Sequence, residues 1–311
     1  GGVYGKDHGV LDGHTRTGSL MPVMTHLGPA APAGLTLRQA ALSNENLLGE
    51  LLVAQFNLQR VSRHELVQDG ASLRTIDSDL IVADRPDFHP TDVLEDSDGS
   101  VLVVDTGGWY TLCCPTSHID QSKATGAIYR LTSPAGKLAP QLTDRELQQT
   151  NAAGLVKLLG DRRPSVRMAA RRQLASDPDG PAALASALAG NASELQSPLA
   201  RSFAVWTAIE TSSRLEMNED QALYQSLMNA IVDRLIDSNE TIRLIAAQGL
   251  GTHRYLPAAE RLIAMLAGGS PREQRYAAES LGRIGASQAT GPLVEAFAKM
   301  ALDSSAAGSP D

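Results

Sequence analysis

Near residue 140 the hydrophobic rhythm of this chain changes, and that change constrains its folding more than any other feature. Upstream, apolar residues fall in short runs and two-residue alternation, the period of a pleated strand. Downstream, Ala, Leu, Arg and Gln take over and apolar residues recur at steps of three and four, the period of an amphipathic helix. The two patterns need different partners for burial, so the chain is predicted to be a β + α multidomain protein. The boundaries read as a β unit over residues 1–135, a linker over 136–150, helical repeats over 151–302 and a flexible tail over 303–311.

Within the β unit the strands announce themselves by their punctuation. Residues 50–56 form an apolar run between Gly49 and Asn57, as a buried strand would. Residues 61–67 alternate less strictly, Asp69-Gly70 supplies a tight turn, and residues 72–82 read as a further strand. The unit then restarts. Residues 90–96 are a strand, Ser97-Asp98-Gly99 a hairpin turn, residues 100–105 a buried strand and Gly126 to Leu131 a last one. Two runs of short strands with repeating turns point to a propeller or a sandwich, with an ordinary antiparallel β domain as the plainer reading.

The helical half repeats a phrase. Leu155 to Leu159 precede Asp161-Arg162-Arg163-Pro164, and Pro164 suits the first turn of the next helix. Arginines at 167, 201, 243 and 275 mark successive copies, each with a small residue close behind: Ala170, Ala204, Ala247 and Ala278. Helical pairs recurring at this period predict a solenoid, since one pair cannot bury its apolar face alone. Arg163, Arg167 and Arg171 share one helical face; that face reads as solvated and salted by Asp161, Glu146 and Asp177, or as a seat for an acidic partner.

Bulk properties exclude some classes. With 27 Lys and Arg against 35 Asp and Glu, the net charge is −8, which argues against a nucleic-acid partner. No apolar run approaches the roughly 20 residues of a membrane span. The chain begins with Gly1 and no Met, so it reads as an internal piece of a longer protein. Its two cysteines are adjacent, Cys113-Cys114, and no CxxC, CxxCH or zinc spacing occurs.

Residues 88–96, the stretch from Val103 to Tyr110, Cys113-Cys114-Pro115-Thr116-Ser117 and Gly126-Ala127-Ile128-Tyr129-Arg130 closely resemble the large planctomycete-type "membrane-bound dehydrogenase" proteins. His26-Leu27-Gly28-Pro29 and Ala54 to Arg60 resemble the preceding blade of that family. The resemblance covers 1–135 by motif and the remainder by architecture. It implies a β-propeller similar to quinoprotein glucose/sorbosone dehydrogenases and to NHL propellers, followed by HEAT-like repeats and often a c-type haem domain. Complete propellers of this kind have roughly six blades. About two are present here, without a haem motif, so the expected architecture is a partial β-propeller leading into an α-solenoid. An extracytoplasmic location, periplasmic or at the cell envelope, follows from the resemblance alone.

The resemblance directs attention to the loops at a central channel. His26 and His89 stand ahead of the expected inner strands, as candidate catalytic bases or as turn-capping residues. Asp92 and Asp105 are candidate calcium ligands, or carboxylates that satisfy a turn. Arg60 and Arg63 are candidates to hold the carboxylates of pyrroloquinoline quinone (PQQ), which a guanidinium does bidentately. Trp109 and Tyr110 follow a Gly-Gly break and suit stacking on a planar ligand or packing. Adjacent Cα atoms are about 3.8 Å apart, below the usual disulfide range. Cys113 and Cys114 are therefore a strained vicinal bridge that could line a flat cofactor, two thiols, or halves of bridges to absent parts.

Three functions compete. The whole protein could oxidise a sugar or alcohol with PQQ and calcium, passing electrons to a haem c in an absent C-terminal domain. It could instead be a non-catalytic module that binds a protein partner on the concave helical surface. A calcium-dependent propeller hydrolase or lactonase is the third.

Overall fold

The computed structural model describes residues 23–85, 87–108, 125–132, 142–190, 195–217 and 220–306 of the 311. Seven strands among them form two antiparallel sheets. The first contains β1 (Pro32–Arg38), β2 (Glu50–Gln55), β3 (Arg60–Asp69) and β4 (Ser72–Val82), in the spatial order of the sequence. The second contains β5 (Pro90–Glu95), β6 (Val101–Asp105) and β7 (Ala127–Leu131), again in sequence order. Within each sheet, strands consecutive in sequence are therefore neighbours, and the tight turns at Asp69-Gly70 and Asp98-Gly99 join β3 to β4 and β5 to β6.

Register decides what is buried. In the first sheet Ala54 lies opposite Val61, and in the second Val93 lies opposite Val103. Directly opposed residues share a face. Leu52, Ala54 and Val61 accordingly meet Phe88, Val93, Val101 and Val103 in one apolar cluster between the sheets. At Gly34 the backbones of β1 and β5 pass so closely that a Cβ there would come within 2.5 Å of the Asp92 Cα. A side chain at Gly34 would wedge the sheets apart.

The helices run from α1 (Asp144–Gln148) and α2 (Ala152–Leu158) to α3 (Pro164–Ser176), α4 (Gly180–Ala189), α5 (Pro198–Met217), α6 (Gln221–Asp233), α7 (Glu240–Thr252), α8 (Ala259–Gly268), α9 (Pro271–Ile284) and α10 (Thr290–Ala306). Local chemistry fixes many starts. Thr143 with Glu146 and Ser270 with Glu273 form capping boxes, Asn151, Asp220 and Asn239 cap with their side chains, and proline opens α3, α5 and α9. α3 packs on α5, α5 on α7 and α7 on α9, while α4 packs on α6 and α8 on α10. A second apolar cluster, separate from that of the sheets, runs through these helices. Tight crossings depend on small residues. A Cβ at Gly251 of α7 would lie 2.7 Å from the Ser280 Cα of α9, and Ser280 Oγ donates to the Ala247 carbonyl at 2.8 Å.

The marker arginines have a common task. Arg167, Arg201 and Arg243 each occupy the fourth position of their helix. Each Nη1 donates back to the carbonyls five and six residues earlier: Asp161 and Arg162, Leu195 and Gln196, Asp237 and Ser238. Arg201 also reaches forward to Asp237 at 2.9 Å, and Arg243 to Glu273, so each guanidinium ties its own turn to the next helical pair.

Four expectations need correction. The fourth helix start carries Gln274 at the equivalent position, not Arg275, and Ala277 is buried where Ala278 was expected. Neighbouring arginines at 272 and 275 obscured the one-residue offset. Arg167 is 1% exposed, so it is no part of a solvated face; Arg163 pairs with Asp161 and Arg171 with Glu210. The segment 136–150 holds a capped helical turn, α1. Helix α10 continues to Ala306, past residue 302 where the tail was expected to begin.

Removing a partly buried guanidinium that bridges two units leaves two carbonyls and one oxygen of Glu273 without their guanidinium partner. Arg243→Ala is expected to lower the unfolding free energy by about 3 kcal/mol. Arg275→Ala, which loses an exposed pair with Glu279 and one bond to the Ala71 carbonyl, is expected to cost about 1 kcal/mol or less. Urea denaturation of both variants measures the difference.

Candidate functional site

The expected site residues do not converge. His26 is exposed and stands six residues ahead of β1, whereas His89 is buried and directly precedes β5. The two histidines are therefore not equivalent. Arg60 and Arg63 lie three apart on one strand, which places them on opposite faces. Arg60 Nε donates to Gln55 at 2.8 Å, and Arg63 Nε to Glu50 at 2.5 Å, where Arg38 also binds. Asp92 lies opposite Val104 and Asp105 opposite Pro90, so the two carboxylates also face opposite ways. Asp105 accepts the backbone N–H groups of His89 and Gly107, both at 2.8 Å, which is the turn-satisfying role. Asp92 is exposed and accepts from the Val93 amide. Among the described residues no cluster of three or more His, Cys, Asp or Glu could hold a metal ion. Trp109, Tyr110, Cys113 and Cys114 lie outside the described residues. As placed, Arg60 and Arg63 lie on opposite faces of their strand, as do the positions of Asp92 and Asp105 in their sheet.

His89 packs its ring 4.7 Å from Phe56, and its Nδ1 is buried without a hydrogen bond. Thr106 Oγ1, across the extended ladder where the Thr106 amide donates to the His89 carbonyl, is likewise buried and unsatisfied.

The other face of β3 carries a network that the sequence reading missed. Gln55 Nε2 donates to Ser62 Oγ at 2.6 Å, Ser62 lies 2.7 Å from His64 Nε2, and His64 Nδ1 lies 2.8 Å from Asp77 Oδ1. Since Gln55 donates to the serine oxygen, the serine hydrogen goes to Nε2 and the imidazole carries its proton on Nδ1. The order Ser–His–Asp matches a nucleophile relay. Its chemistry is closed off: Ser62 is 3% and His64 2% exposed, and Gln55, itself held by Arg60, covers the serine oxygen. The signal was legible in principle, because Ser62 and His64 share a face at a spacing of two. Asp77 enters only through the β3–β4 register, where it opposes His64.

A concave feature lies elsewhere, between the sheets and α3. It is a cleft of about 490 Å³. Leu37 of β1 and Leu94 of β5 form one wall, Leu147 of α1 another, and α3 the third. Glu95, at the end of β5, accepts the amides of Gln39 and Ala40 at 2.8 Å each. Burial raises the Glu95 carboxyl pKa above the ordinary glutamate value, against the lowering effect of those amides.

No protein-family model matches this chain, and no curated protein is similar to it. Among the described residues no helix is long and apolar enough to cross a membrane.

Asp77 offers a test of the network. Burial acts to raise its pKa, but hydrogen bonds from Thr25, Thr75 and His64 outweigh it and bring the carboxyl down to about 2. A folded carboxyl more acidic than the unfolded one stabilises above about pH 4, and that contribution is lost as pH falls towards 2. Because the side chain is 46% exposed, screening leaves about 1 kcal/mol of this effect. Asp77→Asn is expected to flatten the acid limb of stability between pH 4 and 2 by that amount, read from urea midpoints across the range.

Proposed function

We propose that this chain is a non-catalytic interaction module: two blades of propeller type mounted on HEAT-like helical pairs, holding a protein partner along the helices. The observation that carries the reading is where the polar atoms go. Arg60, Arg63 and Asp105, expected to grip a cofactor or cation, spend their hydrogen bonds on Gln55, Glu50 and backbone amides, and they point to different sides of the sheets. A catalytic centre needs groups that converge on one reacting atom. Groups that satisfy one another instead build a rigid scaffold. The stacking of alternate helices along one direction supports the same reading, since such stacks offer an extended surface to partners.

Calorimetric titration of the chain with PQQ in the presence of calcium chloride tests it. The interaction-module reading expects no saturable heat. Saturable binding at micromolar concentration, lost in Arg60→Ala or Arg63→Ala, would overturn it in favour of the dehydrogenase that the sequence resemblance implies.

A further inference from the structure

We propose that the cleft between the sheets and α3 binds an elongated amphiphile carrying one carboxylate, in its simplest form a medium-chain carboxylic acid. This goes beyond the interaction-module reading and does not rest on it. The volume of about 490 Å³ lies within the range that small-molecule sites occupy, and an interface between units is a common place for them.

The α3 wall sets the ligand's shape. Ser165, Met168, Ala169 and Arg172 line the cleft at positions i, i+3, i+4 and i+7, one stripe of the helix. At 1.5 Å of rise per residue, Ser165 and Arg172 are about 10 Å apart along the axis. Between them the stripe is apolar, and Leu37 and Leu94 face it from the sheets. The α3 wall is thus a short apolar stripe with a polar group at each end, while the sheet side adds Thr36, Gln39, Glu95, Asp96 and Ser97 to the leucines.

Each end lacks a partner of its own. Ser165 Oγ is buried and makes no hydrogen bond, a state that costs about 1–3 kcal/mol. Arg172 is exposed, and among the described residues its guanidinium has no ion-pair partner. The acids in the lining are engaged already: Glu95 by two backbone amides and Asp96 by Arg130 at 2.6 Å. The unpaired charge offered to a ligand is therefore positive. A carboxylate can meet a guanidinium through two parallel hydrogen bonds, while an alkyl chain lies along Met168 and the leucines. Ser165 Oγ is sealed from solvent as it stands, so a hydroxyl at the far end of such a chain supplies the bond that Ser165 lacks once the serine turns about χ1 towards the cleft.

The test uses the full chain with ¹³C-methyl methionine, titrated with sodium decanoate below its micellar range and followed by calorimetry and methyl NMR. One saturable site with a shift of the Met168 methyl is expected. Decanol should bind at least about tenfold more weakly, and Arg172→Ala should weaken decanoate by about tenfold. 10-Hydroxydecanoate should bind several-fold tighter than decanoate, an advantage that Ser165→Ala removes. Absence of saturable binding to the unaltered chain overturns the proposal. So does decanol binding as tightly as decanoate. Binding indifferent to Arg172→Ala also overturns it, and would place the ligand on another apolar surface, such as the exposed Val294, Phe297 and Met300 of α10.

Discussion

Arg167 is the hinge of the whole arrangement. Its guanidinium is buried against the Phe203 ring, 4.8 Å from the centroid. One amino group closes the turn ahead of α3, and the other donates to the Gln39 carbonyl at 3.0 Å. Glu95 binds the amides of Gln39 and Ala40 from the second sheet. The short turn after β1 is thus held at its amides by an anion and at a carbonyl by a cation, one from each half of the chain. Burial lowers the pKa of Arg167, yet arginine stays charged in any protein setting. A buried charge without such bonds would be far costlier than the bonds are favourable. Once α3 is folded, Arg167 needs the carbonyl that the β1 turn presents, and that need fixes where the sheets sit on the helices.

The docking is reinforced at separate points. Leu42 and Leu47, in the connection from β1 to β2, pack against the helical core, and the Leu199 amide donates to Asn44 at 3.4 Å. At the far end of the sheet, the β3–β4 turn offers the Ala71 carbonyl to Arg275. The N-terminal ends of α3 and α5, which carry arginine ties, and of α9, which carries none, all bond to the β half. Gln274 at the equivalent position of α9 has no guanidinium to extend the series, and the neighbouring Arg275 turns to the sheet instead.

Much of the β half was legible because its signals are local. Gly49, Asp69-Gly70 and Ser97-Asp98-Gly99 punctuate the strands, and β4 spans the residues the pattern predicts. The site was far less legible. That Arg60 and Arg63 oppose each other follows from strand parity once β3 is known to be one regular strand, which the loose alternation of residues 61–67 hid. That Asp105 serves the backbone of His89 depends on the β5–β6 register. The Ser62–His64–Asp77 network needs the pairing of β3 with β4, and the cleft needs residues from β1, β5, α1 and α3 at once.

The sequence by itself determined the change from sheet to helix, the strands β2 to β7 to within two residues at either end, and the recurrence of the arginine phrase. These rest on periodicity and capping, which act over a few residues. Only the tertiary structure decided that Arg167 is buried, that the expected cofactor residues point apart, and that a cleft opens beside α3. Strand register depends on partners a dozen or more residues away, such as His64 and Asp77, and docking on partners more than a hundred positions apart, such as Gln39 and Arg167; no local pattern encodes which distant carbonyl a guanidinium will find.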